Sequence, residues 1–447
     1  MKEIIYPPGP KGVFFIGSLF DYFRDMMGFL LRTAREYGDI TFFKIGSRKI
    51  YLLSHPDLIH RVLITDNRKF TKSRALKRSK VVVGEGLLTV EGNTHLNRRR
   101  LLQPAFHTKS IKTYADTMID TTAEMVDRWE DNKSIDIHKE MMGLTLAIVT
   151  KTLFGTETKT ESDEIGECLT TIVKQFPRML FPYSEYLDNL PIPTIRNFKK
   201  SLNKLDEIIY SLIEERRGEE NKKNDILSTL IKAQDEESGI GLTDDEVRDE
   251  AMTLFIAGQE TTANALVWTI YLLCTNPTIK LKLQEELDLN LNQDFPSFED
   301  LNTLEYANMV FKEALRLYPP AWNVARHAIE DFKLDEYIVP SGSDIYMSPY
   351  VVHHDERFFP EPFKYYPDRW KEEQISSLPR FAYFPFGGGT RRCIGEPFAI
   401  MEGVLIIAII FSRFDLQITP NQSIVPNALI TIRPKYDIKV KVKMRDN

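Results

Sequence analysis

In this 447-residue chain the residues best suited to chemistry surround Cys393, in the run Phe386-Gly387-Gly388-Gly389-Thr390-Arg391-Arg392-Cys393-Ile394-Gly395. The thiol lies between a glycine turn and the start of an apolar helix. The partial positive charge of a helix start and two neighbouring guanidinium groups both favour thiolate over thiol. With no Cys-x-x-Cys partner and no histidine close in sequence, the sulfur is poorly placed for zinc, which takes four ligands. It is suited to be the single protein ligand of an iron already held by four nitrogens, as in a Cys-ligated haem. The glycines let the backbone approach a flat group without Cβ atoms in the way and free amides to point at the sulfur. Phe386 is expected to cover the sulfur from water, and Gly395 to let the next helix lie close. Cys168 and Cys274 lack such surroundings and read as structural.

A second group is Ala257-Gly258-Gln259-Glu260-Thr261-Thr262, an acid and two hydroxyls in the middle of an apolar helix. Buried polar side chains need a reason to be there. Ala257 and Gly258 leave room for a cofactor and a small gas molecule beside the backbone. A threonine hydroxyl can bond back to a carbonyl one turn earlier and bend the helix. A third group is Glu313-Ala314-Leu315-Arg316, an acid and a base one turn apart. It precedes Tyr318-Pro319-Pro320 and, some fifty residues on, Tyr366-Pro367-Asp368-Arg369-Trp370.

The elements that must position these groups follow from pattern. Thr41 to Ile45 and Ile50 to Leu53 read as a hairpin around Gly46. From His95 to about residue 290 the pattern is dominantly helical. Its longest helix starts at a capping box, Thr243 with Glu246, and ends at Thr275 before Asn276-Pro277. Further β-rich stretches lie near 324–350 and 415–445. A mostly α chain with small sheets assembled from distant segments fits one α+β domain across residues 1–447, with a proline-rich segment at 1–12.

The Cys393 run resembles the haem-binding loop of the cytochrome P-450 family, and the other groups match that family in order over about residues 90–410. The resemblance implies the cytochrome P-450 fold, with haem b between the long helix and the cysteine loop. It makes Cys393 the axial ligand of the iron and Thr261 the hydroxyl that hydrogen-bonds oxygen at the iron, with Glu260 on the proton route. Ala257, Phe386 and Gly395 would contact the haem, and His95, Arg99, Arg326 and Arg391 would hold its propionates. The family commonly has Trp where His95 stands. Glu313, Arg316 and Arg369 would lock together to hold the cysteine loop; Asp368 departs from the usual Glu. His353-His354-Asp355, which could suggest a metal, falls where the family has a structural His–Asp pair. Glu313 to Trp322 and Ser348-Pro349-Tyr350 look most like bacterial carotenoid and long-chain fatty-acid hydroxylases.

The function implied is a haem-thiolate monooxygenase acting on a C–H or C=C bond of an apolar substrate. A peroxide-driven peroxygenase, a rearranging isomerase and a haem gas sensor are the alternatives; the Glu260–Thr261 pair argues against the first two. Electrons would come from NAD(P)H through a separate ferredoxin- or flavodoxin-type protein. Its docking site is expected at a basic cluster of Arg98, Arg99, Arg100, Lys109 and Lys112. Apolar residues near 70–90, 176–195 (Phe176, Met179, Leu180, Phe181, Tyr183) and 321–324 are expected to line the substrate pocket.

Composition agrees. Net charge is −6, from 58 basic and 64 acidic residues, which excludes nucleic-acid binding by bulk electrostatics. Three scattered cysteines give no disulfide framework and suit a reducing compartment. Met1 to Tyr6 is too short for a signal peptide or membrane span. Pro7-Pro8-Gly9-Pro10 resembles the hinge after the membrane anchor of eukaryotic members. A cytoplasmic monomer with at most peripheral membrane contact is expected.

Overall fold

The computed structural model describes residues 5–155, 159–175, 192–218, 225–234, 239–291 and 295–445. The pocket segment expected at Phe176 to Tyr183 lies outside them. The chain forms two compact units. One comprises Met1–Arg74, Met309–Cys393 and Pro426–Arg433; the other comprises Ala75–Asn308, Ile394–Val425 and Pro434–Asn447. Helices dominate, and the sheets are small and separate.

The first unit is organised on a five-stranded sheet. The expected hairpin is present as Ile40–Ile45 and Arg48–Leu53, with Phe42 opposite Tyr51. Gly46 turns it at φ 58°, a left-handed value that glycine adopts without steric cost. Asp344–Met347 joins the second strand in parallel, and Val324–Ala328 and Phe70–Lys72 add antiparallel strands beyond it. One face buries Tyr51, Leu53, Ile345 and Met347 in the same apolar cluster as Phe381 and Phe384. The base of the Cys393 loop is thereby rooted in the core of the sheet.

The second unit is built on the helix Asp244–Thr275. Both halves of its capping box form. Thr243 Oγ1 accepts from the Glu246 amide (3.3 Å) and Glu246 Oε2 accepts from the Thr243 amide (2.9 Å). At 1.5 Å per residue its 32 residues span about 48 Å. It packs on Ile137–Phe154 and on the last helix, Glu396–Arg413. No helix among the described residues is long and apolar enough to cross a membrane.

The last helix is almost wholly apolar and fully buried along its middle, yet it carries Glu402 at 1% exposure. Burial pushes this carboxyl up to about 8, and a hydrogen bond with Thr262 of the long helix opposes the shift. Its Oε2 has no hydrogen-bond partner. Because the folded value is raised, the unfolded chain loses this proton first as pH rises. The contribution to stability is therefore fully present below the ordinary carboxylate range, near 4.5, and is lost as pH climbs through about 8. Glu402→Gln, neutral at every pH, should gain in melting temperature over the parent between pH 5 and pH 8. A gap that does not change with pH would mean that Glu402 ionises freely in the folded protein.

Candidate active site

The first unit holds Cys393, Phe386, Arg391, Arg326 and the Glu313–Arg316–Arg369 set. Glu313 and Arg316, one helical turn apart, are both 0% exposed. They form a bidentate pair: Arg316 Nε donates to Glu313 Oε2 and Nη2 to Oε1, both at 2.9 Å. Arg369 Nε adds a third bond to Oε1 at 2.9 Å, Trp370 Nε1 a fourth to Oε2 at 2.9 Å, and the Tyr366 amide a fifth at 3.1 Å. The remaining donors of Arg316 go to the carbonyls of His353 and Pro362 (2.7 Å each) and Lys364 (3.1 Å). Asp368, in the usual Glu position, accepts from Lys371 at 2.8 Å.

The cysteine loop leaves this framework at Phe384, turns through a short 3₁₀ segment at Gly389–Arg391, and ends with the Cys393 amide donating to the Phe386 carbonyl at 2.9 Å. Cys393 is exposed and Phe386 is half-buried. The glycines also have reasons of their own. A Cβ on Gly388 would meet the Phe381 ring at 2.3 Å, one on Gly389 would meet the Leu63 carbonyl at 2.2 Å, and Gly387 and Gly389 sit at φ 70°. The loop therefore packs tightly against Phe381 and Leu63, with Cys393 exposed and Arg391 half-buried. Arg326 lies in the strand Val324–Ala328 and donates through Nη1 to the Ala325 carbonyl at 3.0 Å. An accessible sulfur donor plus guanidinium groups for carboxylates is a donor set that fits a haem and its propionates.

The second unit holds His95, Arg99, Ala257, Glu260, Thr261 and Gly395. His95 and Arg99 lie one turn apart on the helix Gly92–Leu102, His95 buried and Arg99 half-buried. On the long helix Ala257 is exposed and Glu260 and Thr261 are half-buried, while Gln259 and Thr262 turn inward at 4% exposure each. Thr261 Oγ1 donates to the Ala257 carbonyl at 2.6 Å, the back-bond expected of it. The helix nonetheless runs unbroken through this segment. Gly395 caps the last helix at φ −85°, a conformation open to other residues.

The basic cluster loses Arg98 from its surface. Arg98 is 5% exposed and its guanidinium lies 2.6 Å from Glu246 and 3.7 Å from the wholly buried Glu250. Glu250 also accepts from the Leu87 amide at 2.9 Å, and neighbouring Asp249 from the Glu85 amide at 2.6 Å. Arg98 is therefore paired with the start of the long helix, and Asp249 and Glu250 tie the 85–87 loop to the same turns. Lys112 is bound to Glu299 and lies over Phe298. Arg100 and Lys109 remain exposed. Glu402 escaped the sequence reading, though it could have been noticed as the lone acid between Phe398 and Phe411; His353, read there as structural, is buried and in contact with the cysteine loop.

Comparison with known proteins agrees with this geometry. The family model described as Cytochrome P450 matches residues 7–442. Cyclooctatin synthase of Streptomyces melanosporofaciens is 36% identical, covering 90% of this chain and 88% of that protein. Cyclooctat-9-en-7-ol 5-monooxygenase of the same organism is 33% identical, over 93% and 90%. Pentalenene oxygenase of Streptomyces avermitilis is 32% identical, over 98% and 97%. The chain belongs to the cytochrome P450 family, and it is a haem-thiolate monooxygenase of apolar substrates.

Proposed function

We propose that this monooxygenase oxygenates a cyclic, largely hydrocarbon molecule of the terpene class, in a single catalytic domain that uses haem b. The substrate class is supported by the names of the relatives, which carry pentalenene and cyclooctat-9-en-7-ol. They favour a compact ring system over the long-chain fatty acids suggested by the Glu313 to Trp322 motif. The observation that carries the site assignment is an exposed thiol, Cys393, at the end of a loop rooted in a buried core.

Cys393 would ligate the iron, with Arg326, Arg391, His95 and Arg99 binding the propionates. When bound, the haem supplies reductive activation of O2. The polypeptide supplies the proton path. Thr261 holds its own proton on the Ala257 carbonyl, which leaves its oxygen lone pairs to accept from water. Half-buried Glu260, the preceding residue, exchanges protons with solvent and passes them toward that hydroxyl. Ala257, with only a methyl group, keeps this stretch open to ligand. Electrons originate in NAD(P)H and arrive through a ferredoxin- or flavodoxin-type protein. With Arg98 buried, the docking charge would come from the exposed Arg100, Lys109 and Lys112.

Reduced protein with CO should absorb at about 450 nm, where a thiolate donor places the band. Cys393→Ser should abolish that band, and a variant that retained it would remove Cys393 as ligand. Thr261→Ala should keep haem and substrate binding but release reducing equivalents as peroxide, with coupling of NADPH to product falling about tenfold or more. Unchanged coupling would transfer the proton role to another group. Among terpenes, fatty acids, steroids and carotenoids, cyclic terpenes should produce the largest change in haem spin state; a response to fatty acids alone would overturn the substrate class.

A further inference from the structure

We propose that His353 is the positioning residue for the cysteine loop, a buried strut whose two ring nitrogens tie the Arg316 backbone to the amide of Phe384. The inference rests on the reading of Cys393 as haem ligand for its functional meaning, and on geometry for the rest.

His353 is 0% exposed. Its Nδ1 lies 3.2 Å from the Arg316 carbonyl oxygen, which can only accept, so Nδ1 carries the proton. Its Nε2 lies 3.0 Å from the Phe384 amide, which can only donate, so Nε2 is bare. The partners therefore select one neutral tautomer. Burial and the adjacent Arg316 guanidinium hold the imidazole well below its usual pKa range, in keeping with that state. The residue is bonded to Arg316 a second time, since its own carbonyl accepts from Nη1 at 2.7 Å.

The ring is also fixed in plane. It stacks on Tyr383, with centroids 5.1 Å apart and planes at 28°, and meets Phe384 edge-on at 5.7 Å. Tyr383 packs at 4.4 Å on Trp370, whose indole donates to Glu313, and its hydroxyl donates to the Lys312 carbonyl at 3.1 Å. Phe384 is where the loop begins. Its carbonyl accepts from the Gly387 amide at 2.9 Å, and the Phe386 carbonyl two residues on accepts from the Cys393 amide. His353 thus joins the Glu313–Arg316 hub to the loop by hydrogen bonds at both ends. The same bonds occupy both ring nitrogens of His353, and neighbouring His354 directs Nδ1 to the Tyr350 carbonyl at 2.7 Å.

Three substitutions in the haem-loaded protein separate positioning from ordinary packing. His353→Leu removes both bonds. His353→Gln can reach the Phe384 amide with its carbonyl oxygen, and His353→Asn, one methylene shorter, can reach only the Arg316 carbonyl. Amide hydrogen exchange is followed in peptides covering 384–395 and 305–317, together with the fraction of reduced CO complex absorbing at about 450 nm. In the Leu and Asn variants exchange in 384–395 should rise about tenfold, as for a lost buried hydrogen bond, with 305–317 unchanged and the 450 nm fraction reduced. Gln should restore both. Unchanged exchange in the loop, or equal loosening in both peptides, would overturn the proposal. Selective loosening in a protein whose parent has no 450 nm band would instead sink Cys393 as ligand while leaving the strut standing.

Discussion

The carboxylate of Glu313 is the group on which the first unit depends. A buried charge is costly unless it is paired and its remaining hydrogen-bonding capacity is met. Here five donors from Arg316, Arg369, Trp370 and Tyr366 converge on two oxygens. Arg316 in turn spends all five of its N–H groups, two on Glu313 and three on main-chain carbonyls between His353 and Lys364. Removing one partner from such a cluster costs about 3–5 kcal/mol because the other charge is left buried and alone. The irregular segment 353–370 therefore has one arrangement in which these charges are satisfied. That arrangement delivers Tyr383 and Phe384, and with them the cysteine loop, to a fixed place on the sheet.

A second set of buried charges does comparable work in the other unit, with different chemistry. Glu246, Asp249 and Glu250 crowd the first turns of the long helix, where the helix dipole favours acids. They are used to bind Arg98 and the amides of Glu85 and Leu87. The start of the helix thus anchors a loop, while the catalytic candidates lie four turns further along. Glu402 is the exception to this pairing of charges. It is a buried acid with no cation, so it meets its environment by keeping its proton.

Legibility in the sequence followed the range of the interaction. The capping box at Thr243 and Glu246 and the hairpin turn at Gly46 depend on neighbours in the chain, and both were readable to the residue. Glu313, Arg316 and Arg369 were readable because their spacing is a family signature, although nothing local says that they are buried. Arg98 was misread as a solvent-facing charge because its partners stand some 150 residues away on another helix. The glycines of the cysteine loop were assigned to cofactor approach, and Gly388 and Gly389 are also required by Phe381 and Leu63. The tautomer of His353 required the positions of two backbone groups that no motif encodes.

The parallel pairing of Arg48–Leu53 with Asp344–Met347 also says something about how the molecule is made. Ile50 lies opposite Asp344, so the sheet cannot close until roughly 290 further residues have been synthesised, and the entropy of closing so long a loop is met only then. Contacts of such sequence separation form slowly. The second unit, whose segment Ala75–Asn308 is continuous, can begin to order while the chain is still emerging from the ribosome, whereas the first must wait for its last third. The residues that wait longest include Glu313, His353 and Cys393. The loop that carries Cys393 is therefore among the last parts of the protein to take shape.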